Sequence, residues 1–158
     1  MDIQAIFGLQ FLLSLLAWGV IARFLLSPWL AKLSQHEALL WLSLPHAFRH
    51  VGMVFLVPGV VDRPLPAEFA DPAAYGDLAT GVIALAAVIA LGSRWSVALA
   101  LVWLFNVVGS VDLLNALRHV DVAPSFGAAW YIPTMLVPLL LVTHFLIFKR
   151  LLTRGNAG

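Results

Sequence analysis

Leu44-Pro45-His46-Ala47-Phe48-Arg49-His50 lies inside an apolar run that begins at Glu37 and ends at Val61. A run of about 25 residues is long enough for a helix to cross the hydrocarbon core of a bilayer. Two histidines and an arginine in the middle of such a run are costly there, and ionisable side chains at that depth persist where they have a task. The histidines are four residues apart, so a continuous helix places both rings on one face. The segment reads as a membrane-crossing helix that carries a polar site.

Composition agrees with that reading. Of 158 residues, 62% are hydrophobic and 11% charged, whereas a soluble domain is about half apolar and about a quarter charged. A core of this size cannot hide the excess, so lipid is expected to solvate much of the surface. A net charge of +1 argues against a nucleic-acid footprint, which needs a basic face or stripe. The absence of cysteine excludes disulfides, iron–sulfur clusters and covalently attached haem, and leaves the redox compartment open. Met1-Asp2-Ile3-Gln4 places an acid where a signal peptide has basic residues, so the first apolar run is expected to be a retained helix.

Five apolar stretches, 3–24, 37–61, 76–92, 95–117 and 130–150, predict one all-α domain over 1–158, a bundle of five transmembrane helices. Gly92-Ser93-Arg94 is read as a tight hairpin, because a helix continuing through Arg94 would run to about 40 residues. Arg23, Lys32, Arg94, Lys149, Arg150 and Arg154 fall on one side of this arrangement, and Arg63 and Arg118 on the other. The positive-inside rule then puts the N-terminus outside and the C-terminus in the cytoplasm, in what is expected to be a bacterial inner membrane. The acids Asp2, Asp62, Glu68, Asp71, Asp77 and Asp121 are placed on the outer side.

Leu25-Leu26-Ser27-Pro28-Trp29-Leu30-Ala31-Lys32-Leu33 suits the headgroup boundary. The outer loop 62–75 contains Pro64, Pro66 and Pro72 and is expected to be stiff rather than helical. Through Phe69 and Tyr75 it either folds back as a lid or serves as a plain connector. Thr80 with Ala84, and Ala86 with Ala90, are small-residue pairs that let helices approach closely. The third helix is therefore read as a packing face, for a second copy or a partner membrane subunit, with no chemistry of its own.

Depth along the helices identifies the candidate site. Counted from Glu37, His46 lies roughly 13 Å, Arg49 roughly 18 Å and His50 roughly 20 Å above the inner boundary. On the fourth helix Asn106 lies roughly 16 Å and Asp112 roughly 25 Å above Trp95, which brackets the arginine. An Arg49–Asp112 ion pair is expected, with Asn106 as a further acceptor, and Asp112 is the one acid placed within a span. Ser110, Asn115, His119, Thr134 and His144 form a secondary polar set: Asp112, Asn115 and His119 share a helix face, and His144 is placed toward the inner interface. Pro45 and Pro138 free the carbonyls of Trp41 and Thr134.

Three chemistries fit these residues. One is a b-type haem, for which His46 and His50 on one face cannot both be axial ligands but a cross-helix pair such as His46 with His144 can. Another is a metal ion on His46 and His50 with Asp112 as a third ligand, although the helical metalloprotease pattern needs a glutamate where Ala47 stands. The third, and preferred, is a small anionic or amphiphilic molecule held by Arg49 between imidazoles, bound or transported rather than chemically changed. A buried polar cross-link in an accessory subunit, with no ligand, is the bland alternative. The five spans and six tryptophans resemble, in size and topology, the tryptophan-rich sensory or translocator proteins, a resemblance that implies binding of porphyrins or sterols.

Overall fold

Helix starts follow from capping groups. The Asp2 side chain accepts from the Ala5 amide at 2.6 Å and opens α1 (Ile3–Ile21). A π-helical turn, Ala22–Leu26, carries the chain on into α2 (Ser27–Leu30). Ser34 and Glu37 bond each other's backbone amides at 3.3 and 3.0 Å, a reciprocal box that starts α3 (Gln35–Ala47) ahead of the apolar run. A 3-10 helix, Arg49–Leu56, follows it. Then come α4 (Ala67–Gly92) and α5 (Ala98–Ala116). Short turns Val120–Ser125 and Gly127–Trp130 and a π-helical turn Ile132–Leu136 lead into α6 (Val137–Arg154).

This computed structural model describes residues 1–154; the Arg154 side chain, assigned to the inner side by the charge pattern, lies outside it. Over the described residues the chain is all-helical, 83% helix with no strand. Five helical stretches are long and apolar enough to cross a membrane: Ile3–Leu30, Gln35–Leu56, Ala67–Gly92, Ala98–Ala116 and Gly127–Thr153.

Two sequence expectations need correction. The second span is not one α-helix. It changes to 3-10 geometry after Ala47, with Phe48 at φ −92° and ψ 5°. Successive residues then turn by about 120° rather than about 100°, so His46 and His50 leave their shared face. The proline-rich stretch 62–75 is also largely helical. Pro66 stands at the N-cap of α4 and Glu68 in its first turn. Proline is well tolerated at a helix start, where its missing N–H would have no partner anyway. The Gly92–Arg94 hairpin is present, closed by Trp95 N–H to Ala90 O at 2.9 Å and Arg94 N–H to Leu91 O at 3.2 Å. Its left-handed residue is Arg94, at φ 55°.

α4 packs against α3, the 3-10 helix and α5, and α6 against α3, α5 and α1. Thr80, Ala84 and Ala90 are fully buried within the chain, so the close approach they permit is made internally; Ala86 is half-buried. α1 is peripheral and buries only Phe7. Two apolar cores result. One is close-packed from Ala38, Leu39, Leu42, Ala84, Ala87, Ala90, Val102, Phe105 and Ile147. The other is aromatic, built on Phe7, Phe55, Phe69 and Phe126. At the aromatic end two loops are laced together: Asp62 N–H bonds Ser125 O at 3.1 Å, and Ala128 N–H bonds Val60 O at 2.8 Å. Gly127 permits this at φ +50°, because a Cβ there would meet Val60 O at 2.6 Å. Phe69 does fold onto the bundle, whereas Tyr75 is 57% exposed. At the opposite end Arg150 Nη2 donates to Leu30 O at 2.6 Å and Leu33 O at 3.0 Å, capping the end of α2.

Candidate functional site

Arg49, only 1% exposed, lies at the first residue of the 3-10 helix, between the two cores. Its Nε donates to Asp77 Oδ1 at 2.6 Å and its Nη2 to Asp112 Oδ2 at 2.6 Å. Nη1 donates to Gly109 O at 3.1 Å and faces His144 Nε2 at 3.4 Å. Three glycines make the room. A Cβ on Gly52 would fall on the Asp77 carboxylate, and one on Gly76 on that of Asp112. One on Gly109 would meet Arg49 Nη1 at 2.5 Å, Thr80 Cγ2 at 2.6 Å and His144 Cε1 at 2.9 Å. Any larger residue would have to push the charged groups apart.

The polar layer continues through two buried imidazoles. His144 Nδ1 lies 2.7 Å from Asn106 Oδ1, which accepts its proton and leaves Nε2 free to accept from Arg49. Asn106 Nδ2 in turn donates to His144 O at 3.4 Å. The His46 ring lies 4.1 Å from that of His144, centroid to centroid. Thr143 Oγ1 donates to its own helix carbonyls, so it accepts from His46 Nε2 at 3.0 Å. His46 Nδ1 and Thr80 Oγ1 are buried without a hydrogen-bond partner among the described residues. Beyond His46 lies the close-packed core, with Ser43 bonding back to Leu39 O at 2.7 Å.

On its other side the ion-pair layer floors a cavity of ≈ 40 Å³. Asp77 and Asp112 form part of the wall, together with Phe7, Phe55, Phe69 and Phe126. The rings of Phe55, Phe69 and Phe126 pack at 5.5 to 5.7 Å, and His119 stands edge-on to Phe69 at 6.1 Å. Beside the cavity, α1 and the 117–121 turn border an open groove of ≈ 630 Å³ that shares Phe7, Leu117 and Val120 with it. About three water positions fit in the cavity, which is room for a small polar head but not for a porphyrin or a sterol.

A family model described as Domain of unknown function (DUF8737) matches residues 6–152. The chain belongs to that family. No curated protein and no solved structure matches this DUF8737 chain.

Within it, the sequence-derived residues separate into three groups. Arg49, Asp112, His46, Asn106 and His144 meet in the polar layer. Asn106 holds His144 rather than Arg49, and His144 is central rather than interfacial. His119 joins the cavity wall. His50, Asn115, Ser110 and Thr134 do not join the site. His50 is exposed and its Nδ1 lies 3.2 Å from Ala47 O, Asn115 is exposed, and Ser110 and Thr134 bond back to Asn106 O at 2.6 Å and Trp130 O at 2.8 Å.

With His50 outside, His46 and His50 do not converge on one point, and among the described residues no three His, Cys, Asp or Glu side chains group as metal ligands. A haem does not fit either. Rings 4.1 Å apart leave no space for a porphyrin between them, and both nitrogens of His144 are engaged. Asp77 is the site residue that sequence reasoning misses. The charge pattern places it with the outer acids, but α4 starts at Ala67 and carries it into the layer. The signal is Pro66-Ala67-Glu68, a helix-start pattern masked by reading every proline as a breaker.

Proposed function

We propose that this chain is an integral membrane protein that binds a small amphiphilic molecule in the aromatic half of its bundle. The observation that carries this reading is an apolar cavity, floored by carboxylates, that shares Phe7, Leu117 and Val120 of its wall with a groove along α1. The opposite half is sealed by fully buried alanines on α3 and α4, which favours a one-sided binder over a transporter. Arg49 gives its donors to Asp77, Asp112 and Gly109, so the anion anchor expected from sequence is better read as a counter-charge that positions two aspartates. Membrane residence is supported by exposed apolar side chains such as Leu12, Leu16, Val111 and Phe145 on the bundle exterior. The proposed orientation has the cavity end and N-terminus outside and the Arg150 end in the cytoplasm of a bacterial inner membrane.

Native mass spectrometry of protein extracted in a mild detergent tests the reading. A small-molecule adduct is expected on the wild type and not on Ala116→Phe, which fills the cavity wall. Wild type without adduct, and without a stabilising hit in a thermal-shift screen of amphiphiles, would overturn it. The fully engaged Arg49 favours one alternative, a register lock in an accessory subunit. Co-purification of a second membrane protein with both wild type and Ala116→Phe would support that alternative.

A further inference from the structure

The cavity floor carries unequal charge. One guanidinium faces two carboxylates, and each carboxylate gives it a single oxygen, Oδ1 of Asp77 and Oδ2 of Asp112. Asp77 Oδ2 lies against Gly52 and Asp112 Oδ1 against Gly76, positions that bring no side-chain donor. Neither oxygen has a hydrogen-bond partner among the described residues. No lysine or arginine lines the cavity, and His119 is the one imidazole in its wall. Behind the floor His144 is taken up by Asn106 and Arg49, while His46 gives Nε2 to Thr143 and keeps Nδ1 without a partner among the described residues.

Above the floor stand four phenylalanine rings, Phe7, Phe55, Phe69 and Phe126. Aromatic faces attract cations, and most strongly where water is excluded. Two carboxylates without a converging third ligand make a poor metal site. Carboxylates under an aromatic wall suit an alkylammonium head.

We propose that the site binds a small organic monocation, its ammonium group on Asp77 and Asp112 beneath the phenylalanine rings and its apolar tail in the groove along α1. This assignment rests on the binding function proposed above and adds the ligand's chemical class. Gln4, Arg118 and Asp121 at the groove rim supply polar contacts where the tail emerges.

Hexylammonium, hexanol and hexanoate share one tail and differ in head charge, so calorimetry of the three on the full chain in an uncharged detergent is the test. Hexylammonium is expected to bind at least about tenfold more tightly than hexanol, with no detectable binding of hexanoate. Asp112→Asn is expected to bring hexylammonium and hexanol within about twofold of each other. Phe69→Leu keeps both carboxylates and covers the case in which Asp112→Asn fails to fold; it is expected to weaken hexylammonium several-fold and leave hexanol nearly unchanged. Hexanol or hexanoate binding as tightly as hexylammonium, sodium chloride competing it away at matched ionic strength, or equal losses for both ligands in Phe69→Leu would overturn the cation assignment while the cavity reading stands. If none of the three binds and no adduct is found on the wild type, both readings fall.

Discussion

Arg49 is tolerable inside an apolar bundle because its neighbours supply charge and space together. Two carboxylates and a carbonyl take its donors, and Gly52, Gly76 and Gly109 leave room for them. Removing one member of such a set leaves uncompensated charge, so Arg49→Met is expected to cost about 3–5 kcal/mol. Replacing all three as Arg49→Met, Asp77→Asn and Asp112→Asn is expected to recover most of that loss. Loss of helical signal on titrating a mixed micelle with denaturing detergent measures both. Gly76→Ala is expected to destabilise by about 1–3 kcal/mol by the same assay, because its Cβ has only the Asp112 carboxylate to displace. His50→Ala, at an exposed position, is expected to stay within about 0.5 kcal/mol of wild type. Depth counting finds Arg49 and Asp112 because both lie well inside unmistakable apolar runs. It cannot find the glycines, whose role is defined only by the groups that approach them from other helices.

At the scale of elements, hydropathy locates five spans but not their internal changes of geometry. Pro45 announces a disturbance without fixing its form, and the 3-10 helix beyond it removes His50 from a pair that spacing alone had joined. The start of α4 is hidden for another reason: proline reads as a breaker or as a first-turn residue depending on the residues C-terminal to it. Two substitutions test the element ends. Ser34→Ala opens the box at the start of α3 and is expected to cost about 1 kcal/mol in thermal unfolding. Arg94→Gly relieves a left-handed residue at the α4–α5 hairpin and is expected to add about 1 kcal/mol.

In the whole molecule the described residues stack as an alanine-rich core, a polar layer and an aromatic core. Sequence could place the polar layer only because few charges compete for it; the cavity above it depends on side chains from α1, the 3-10 helix, α4, α5 and the turn before α6. The chain has no cysteine, so single cysteines report topology without background. An impermeant maleimide applied to intact cells is expected to label exposed Asp62→Cys at once and exposed Lys32→Cys only after permeabilisation. The reverse pattern would invert the proposed orientation.

The 3-10 helix also sets a length. Its eight residues, Arg49–Leu56, advance about 16 Å at 3-10 rise, where an α-helix would give about 12 Å. The 22 residues of Gln35–Leu56 therefore reach about 37 Å instead of about 33 Å, close to the about 39 Å of the 26-residue α4 beside them. The shorter stretch thus reaches nearly as far as its longer neighbour with no added residues.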